Sequence, residues 1–432
     1  MEEQIIHLAH GKAEQCDVLG VETDRTGIEF RANEMHSQET RLSHGWGLRV
    51  IKNGRAGFSA SSHPGRLEQL VEAACETAAL GKPARFDLPA VSKRPEVKTF
   101  ENRVLMLSAM RLSEWATELI EAIRARVPDI KLDVSLTRVY RQLRLLNSAG
   151  LDVQYSTASL HLSVTGLLVL EGLFWLNDYE NLSDGRYPST GEIADRFETR
   201  ARLARTRARL DSGSYPVIFA PQAVPNLLLP LQFAVSGKAL EKGTSPLMGK
   251  VGQQLLDAKL SIIDNPLRPH AAASAPADGD GTPCRRLPLF ERGVFRGFIF
   301  DLATAAACRQ LTTGSAARDY AGPPQPDTTN IEVAPGGADL DSAVQSMESG
   351  LLVYDCIGGG QSNIMAGDVS LNISCGYKVE HGRIVGRVKD AMIAGNVFEL
   401  LKNVAAVGDT QRDLADHFVP FIQLDGLTVA AR

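Results

Sequence analysis

Charge of one sign is what this 432-residue chain most plainly lacks: 46 Lys and Arg stand against 51 Asp and Glu, for a formal net charge of −5. A chain without a basic surplus exerts no global pull on a polyanion, so direct nucleic-acid binding is not expected. Cysteine is scarce and scattered. Cys16, Cys75, Cys284, Cys308, Cys356 and Cys375 include no C-x-x-C pair, which excludes a zinc knuckle and a dense disulfide scaffold. Long apolar runs are missing too. The densest, Leu167-Leu-Val-Leu170, is too short to span a bilayer. The opening Met-Glu-Glu-Gln-Ile-Ile has no basic stretch ahead of an apolar one, so no signal peptide is expected. These absences describe a reduced, cytoplasmic chain with no membrane partner.

What is present is ordinary for a globular protein, with 44% apolar and 22% charged residues. The length suggests two or three domains. Residues 1–90 mix strand and helix. In Gly45-Trp-Gly-Leu-Arg-Val-Ile-Lys-Asn-Gly-Arg-Ala-Gly-Phe-Ser59 the pair Asn53-Gly54 reads as a hairpin turn, both positions tolerating positive φ. After Pro64, the spacing of Leu67, Leu70, Val71, Ala74 and Ala78 predicts an amphipathic helix. Residues 91–210 form a second segment. Trp115, Leu119, Ile123 and Val127 predict another helix, and the alternating runs from Leu132 to Val164, turning at Asn147-Ser-Ala-Gly150, predict an antiparallel meander. The Arg-rich stretch from Arg196 to Arg209 closes this segment. Its ordinary reading is a solvated helix face. Asp211-Ser-Gly-Ser214 is the natural boundary, and residues 211–432 read as a β-rich domain with long loops. The fold class is α+β: a mixed region of antiparallel sheets and helices, then the β-rich region.

Few side chains suggest chemistry. His36 and His44 flank the first hairpin and have no second ligand at helical spacing. Asp264, His270, Asp278 and Asp280, with nearby Cys284, gather in one loop and could hold a cation, although flexible loops commonly collect such residues without binding anything. Gly358-Gly-Gly360 with Gln361 lacks the Lys-Ser/Thr of a phosphate loop. It reads as a plain turn or as a place where a peptide backbone approaches a sheet edge. No G-x-S-x-G elbow is present. Cys356 and Cys375 lie on predicted strands, where a buried thiol is usually an inert packer.

One long pattern remains. Asn226-Leu-Leu-Leu-Pro-Leu-Gln-Phe-Ala-Val-Ser-Gly-Lys-Ala-Leu-Glu-Lys-Gly-Thr-Ser245 is followed by Val251-Gly-Gln-Gln254, Ile262-Ile-Asp264, Gly293-Val-Phe-Arg-Gly-Phe-Ile-Phe-Asp301, Thr313-Gly-Ser315, Gly367-Asp-Val-Ser370, Tyr377-Lys-Val-Glu-His-Gly382, Ile393-Ala-Gly-Asn396 and Val407-Gly-Asp409. In this order the motifs resemble the TldD/PmbA family, once called modulators of DNA gyrase, and the resemblance implies a C-terminal domain of TldD/PmbA type. In the TldD branch the first of these segments carries H-E-x-x-x-H, a zinc site with a Glu base. Aligned on the shared landmarks, those positions fall at Leu231, Gln232 and Ser236, none of which can do the job. Leu and Ser are not imidazole ligands, and a neutral amide cannot take a proton from metal-bound water. The family's acidic loop is degraded to Ala277-Asp-Gly-Asp-Gly281, and its C-terminal Cys has no counterpart after Val407.

The resemblance implies a zinc-free subunit of PmbA/TldE type. It would carry no catalytic residue and no cofactor of its own, and would pair with a TldD-like subunit that holds the zinc. Such complexes degrade unfolded or small peptides and trim leader peptides. Gly358, Gly359, Gly360 and Gln361 are then candidates for a wall of the peptide cavity. Two alternatives stay open: an autonomous metallopeptidase with a relocated metal, and a homodimeric peptide-binding or regulatory protein that does no proteolysis.

Overall fold

The structure is a computed structural model that describes every residue except Pro188, 360–362 and Arg432. Its first half is built on one antiparallel sheet. The chain enters through helix α1 (Glu2–Ala9) and lays down strands β1 (Gln15–Arg31), β2 (Glu34–Lys52) and β3 (Arg55–Ser61). Helices α2 (Leu67–Ala78), α3 (Asn102–Leu105) and α4 (Ala109–Arg126) follow, then β4 (Lys131–Asn147), β5 (Asp152–Leu170), β6 (Gly172–Asn181) and helix α5 (Thr190–Ala204). The strands lie in the order β3-β2-β1-β4-β5-β6. β1–β3 precede residue 90 and β4–β6 follow it, and the two sets join directly, β1 to β4, from Asp17↔Asn147 to Phe30↔Val134.

Local chemistry sets this arrangement. The β2–β3 hairpin turns at Asn53 and Gly54, with φ of 51° and 68°, the pair of left-handed residues that a two-residue turn needs. Even-numbered residues of β1 and β2 face the helices. Val18, Leu48 and Val50 pack with Ile5, Leu70, Val71 and Ala74, while Ile28 and Phe30 join Leu119 and Ile123 of α4 and Phe197 of α5. Odd-numbered Leu19 and Val21 face the other way, against Ala277 and Tyr320 of the second half. That approach is close. A Cβ on Gly47 would lie 2.3 Å from the Tyr320 carbonyl oxygen, so only glycine fits there.

The second half opens with β7 (Gly213–Phe219), helix α6 (Pro225–Val235), helix α7 (Gly237–Glu241) and β8 (Ile262–Asp264). β7 pairs in parallel with Ser349–Ile357 and antiparallel with Ile422–Ala431. Ile422–Ala431 pairs with Ala391–Asn396, which pairs with Asp368–Glu380, which returns to Ser349–Ile357. The sheet thus closes on itself, leaving no free edge around its ring. A second sheet runs through β8, Ile331–Val333 and His417–Val419. Helix α6 is shared between the two: Leu227, Leu228, Leu231, Ala234 and Val235 sit in one core with Phe219, Val353, Ile393 and Ile422 on one side and Ile262, Phe290 and Ile331 on the other. A helix apolar on nearly every face must be buried this way. The α+β expectation therefore holds. Among the described residues no helix is long and apolar enough to cross a membrane.

Two buried ion networks tie the halves together. Arg49 Nε donates to Asp17 at 2.9 Å, and Arg49 Nη1 lies 2.8 Å from Asp280. Arg318 Nη1 donates to Asp17 at 2.8 Å. In the other network Asp178 accepts from Arg196 at 2.8 Å and Arg200 at 3.1 Å and also meets Arg412 of the second half. The Arg-rich stretch is therefore not simply a solvated face. Arg202, Arg205 and Arg209 are exposed, but Arg196 and Arg200 turn inward because Asp178, itself buried, must be neutralised.

Candidate functional site

Helix α6 is where the sequence singled out Leu231, Gln232 and Ser236, and the structure sends the three side chains to different places. Leu231 is 3% exposed within the shared core. Gln232 Nε2 donates to the Thr328 hydroxyl at 2.8 Å, and its Oε1 lies 3.4 Å from His417 Nε2. Ser236 is not on the helix. α6 ends at Val235, Ser236 is extended (φ −67°, ψ 129°), and its hydroxyl accepts the Lys238 N–H at 3.3 Å as the cap of α7. One position fills the core, one joins a polar network and one caps a helix. Their side-chain atoms do not converge, and none has the chemistry of a zinc ligand. Among the described residues no group of three His, Cys, Asp or Glu is placed to hold a metal ion. The residues present do not fit the zinc carried by the family's TldD branch.

The acidic loop is likewise taken apart. Asp264 Oδ1 accepts both the N–H and the hydroxyl of Thr329, at 2.8 and 2.5 Å. Burial nevertheless pushes its carboxyl up to about 6. His270 Nε2 lies 3.3 Å from Glu101. Asp278 Oδ1 accepts the backbone N–H groups of Asp280 and Thr282, and Oδ2 that of Ala316, at 3.0, 2.8 and 3.0 Å. Burial and the neighbouring Asp280 raise it to about 8. Asp280 belongs to the Arg49 network. Cys284 is buried, and burial drives its thiol well above the usual range.

Gly358 and Gly359 follow the strand Ser349–Ile357. Gly358 has φ of 106°, and a Cβ on Gly359 would lie 2.9 Å from Asn226 Oδ1 at the start of α6. Gly359 thus answers to close packing on that helix. Gly360 and Gln361 lie outside the described residues. Cys356 and Cys375 are buried on their strands; burial raises both thiols, Cys375 to about 11.

Sequence reading missed a group of side chains next to Gln232. His417 Nδ1 lies 2.8 Å from Asp416 Oδ1, so the imidazole is held between a carboxylate and the Gln232 amide oxygen. The pair lines a cavity of about 500 Å³ with His161, Tyr179, Glu180 and Gln222. Burial tends to raise Asp416, but the His417 hydrogen bond and charge hold its carboxyl below the ordinary range. Burial depresses His161, with Asp416 opposing. Gln222 Oε1 is buried and has no hydrogen-bond partner among the described residues. The cavity therefore offers an unpaired acceptor, hydroxyls and imidazoles, a set suited to the N–H and C=O groups of an extended backbone. No spacing in the sequence announces this set, because β5, β6, the turn before α6 and the strand His417–Val419 each contribute one part.

Comparison with known proteins follows the same outline. The family profile described as the PmbA/TldA metallopeptidase C-terminal domain matches residues 212–431, and that for PmbA/TldA metallopeptidase domain 1 matches residues 16–78. The chain is 27% identical over 420 residues to metalloprotease PmbA of Escherichia coli O157:H7, covering 94% of this chain and 89% of that one. It is 26% identical over 413 residues to an uncharacterized protein of Methanocaldococcus jannaschii, covering 95% of each. In fold it is similar to the crystal structure of TldE from Thermococcus kodakarensis, with a TM-score of 0.92 over 99% of both chains at 23% identity.

Proposed function

The chain belongs to the PmbA/TldD metallopeptidase family, and from that premise we propose that it is the non-catalytic subunit of a metallopeptidase complex, partnering a TldD-like chain that carries the zinc and performs hydrolysis. The observation that carries this reading is the fate of α6: Leu231 fills the core, Gln232 bonds to Thr328 and Ser236 caps the next helix. Zinc bound by the partner would polarise a peptide carbonyl and activate water. This chain's part is to hold substrate. The His417–Asp416 pair and the open acceptor of Gln222 support binding an extended peptide by its backbone, which suits unfolded or small peptides and leader segments of varied sequence. Gly358 and Gly359 remain candidates for a wall of that cavity.

The test is elemental analysis of the purified chain, alone and after mixing with a TldD-like subunit, with peptide cleavage assayed in parallel. The expected result is zinc and cleavage in the mixture and neither in the isolated chain. Stoichiometric zinc and chelator-sensitive cleavage by the isolated chain would overturn the proposal in favour of an autonomous peptidase.

A further inference from the structure

Strands β4 and β5 have two unlike faces. Their even-numbered residues, among them Leu132, Val134, Leu160 and Leu162, are buried against the helices. The odd-numbered face is turned to the second half and is sealed only at its hairpin end, where Leu145 and Val153 pack with Ala277. Between Ser135 and Leu143, and between Tyr155 and Ser163, no odd-numbered residue is buried. Two cavities share this uncovered floor. One is the cavity of His417, floored by Ser135, Thr137, His161 and Ser163. The other, of about 320 Å³, is floored by Arg141, Leu143, Tyr155 and Thr157 of the same strands. A hydrogen bond joins their walls: Gln232, beside His417, donates to Thr328, which lines the second cavity.

The second cavity differs in chemistry from the first. Leu19, Leu143, Tyr155, Ala273 and Ala275 line it with apolar surface. Most of its polar side chains already have partners inside the protein. Asp278 accepts three backbone N–H groups, the Thr329 hydroxyl donates to Asp264 and that of Ser274 to the Arg268 carbonyl. Arg318 is held by Asp17 and the Gly47 carbonyl. The remaining charges, Arg141 and Asp327, are exposed and opposite in sign. The first cavity suits a peptide backbone; the second mainly offers apolar contact.

We propose that the two cavities are successive subsites of one channel, and that the second takes a bulky apolar side chain of the peptide held at His417. The inference rests on the peptide-holding reading and adds a selectivity to it. His161 lies six residues beyond Tyr155 on β5, which at about 3.3 Å per residue is roughly 20 Å. An extended guest lying along the floor covers that distance with a similar number of residues. The peptide class is therefore an extended segment with one large apolar residue at a set distance from the part held by its backbone. Large apolar side chains are mostly hidden in folded proteins, so this subsite would favour unfolded chains over loops of native ones.

Fluorescence anisotropy with the full chain tests it. The probes are fluorescein-labelled Gly/Ser decapeptides, one without an apolar residue and a set with a single Phe walked along the sequence. Phe is expected to tighten binding by roughly tenfold to a hundredfold, and only near one end of the peptide. Thr157→Phe and Ala273→Leu, each of which fills the second cavity, should erase the difference between the Phe and Phe-free peptides; circular dichroism checks that both variants fold. Equal affinity for all the peptides would overturn the inference and leave the peptide-holding reading standing. So would a gain that is the same at every position, or one that survives in both folded variants. No binding by any peptide would overturn the peptide-holding reading and the inference together.

Discussion

Arg318 donates Nη1 to Asp17 Oδ1 at 2.8 Å across 301 residues of chain, and both side chains are out of reach of water. Removing one member of such a buried set leaves the others uncompensated, which is far worse than never having built it. Asp17→Asn is therefore expected to cost about 3–5 kcal/mol in denaturant unfolding. Arg144→Ala, which breaks an ion pair with the half-exposed Asp152, should cost no more than about 1 kcal/mol.

Acid and base act on opposite sets of carboxyls. Burial works against ionisation of Asp17 and Asp178, but Arg318 and Arg49 in the first case, and Arg412, Arg200 and Arg196 in the second, outweigh it and hold both below the ordinary value of 3.8. Their stabilisation is present above that value and is lost as pH falls through their depressed values. Asp264 runs the other way. Raised to about 6 by burial, it contributes most below about pH 4 and loses that contribution as pH rises through 6. Asp264→Asn should flatten this part of the profile, so that urea midpoints at pH 4 and 8 converge by the equivalent of about 2 kcal/mol relative to wild type.

Restoring the family's zinc residues should not restore a site. Leu231→His, Gln232→Glu and Ser236→His together would put an imidazole into the shared core and remove the cap of α7. The expected outcome is a destabilised chain without stoichiometric zinc, read by elemental analysis and thermal melting. Leu231→Ala alone should cost about 2–5 kcal/mol through the cavity it leaves.

Gly47→Ala tests the contact between the halves. The added methyl would sit 2.3 Å from the Tyr320 carbonyl oxygen, so the sheet or the loop must shift. A loss of about 1–3 kcal/mol is expected, whereas Gly27→Ala, where a Cβ meets nothing within 4 Å, should cost much less.

Much of the architecture was legible because it rests on local periodicity. Helices α2 and α4, the Asn53-Gly54 turn and the meander of β4 and β5 follow from alternation and turn chemistry that neighbouring residues supply. What could not be read depends on residues far apart in sequence. Nothing near Arg196 or Arg200 points to Asp178 and Arg412, so a stretch that reads as solvated turns inward in part. His417 becomes interesting only when Gln232, 185 residues away, meets its ring and His161 and Gln222 line the same cavity. Ser236 lies just past the end of the helix that carries Leu231 and Gln232, a break that the apolar residues around it do not announce.

The closed ring in the second half has a bearing on how the chain reaches its native state. Ser212, at the mouth of β7, donates its hydroxyl to the Ala431 carbonyl 219 residues further on, and β7 lies between Ser349–Ile357 and Ile422–Ala431. During synthesis β7 therefore emerges with both neighbours still unmade, and helix α6 emerges with much of its apolar surface uncovered. Pairing so remote in sequence is slow to nucleate, and a waiting apolar helix is a natural target for holdase chaperones and for aggregation. Refolding yield should thus be limited by ring closure rather than by the first sheet, whose hairpins can zip from their turns while the ribosome is still at work.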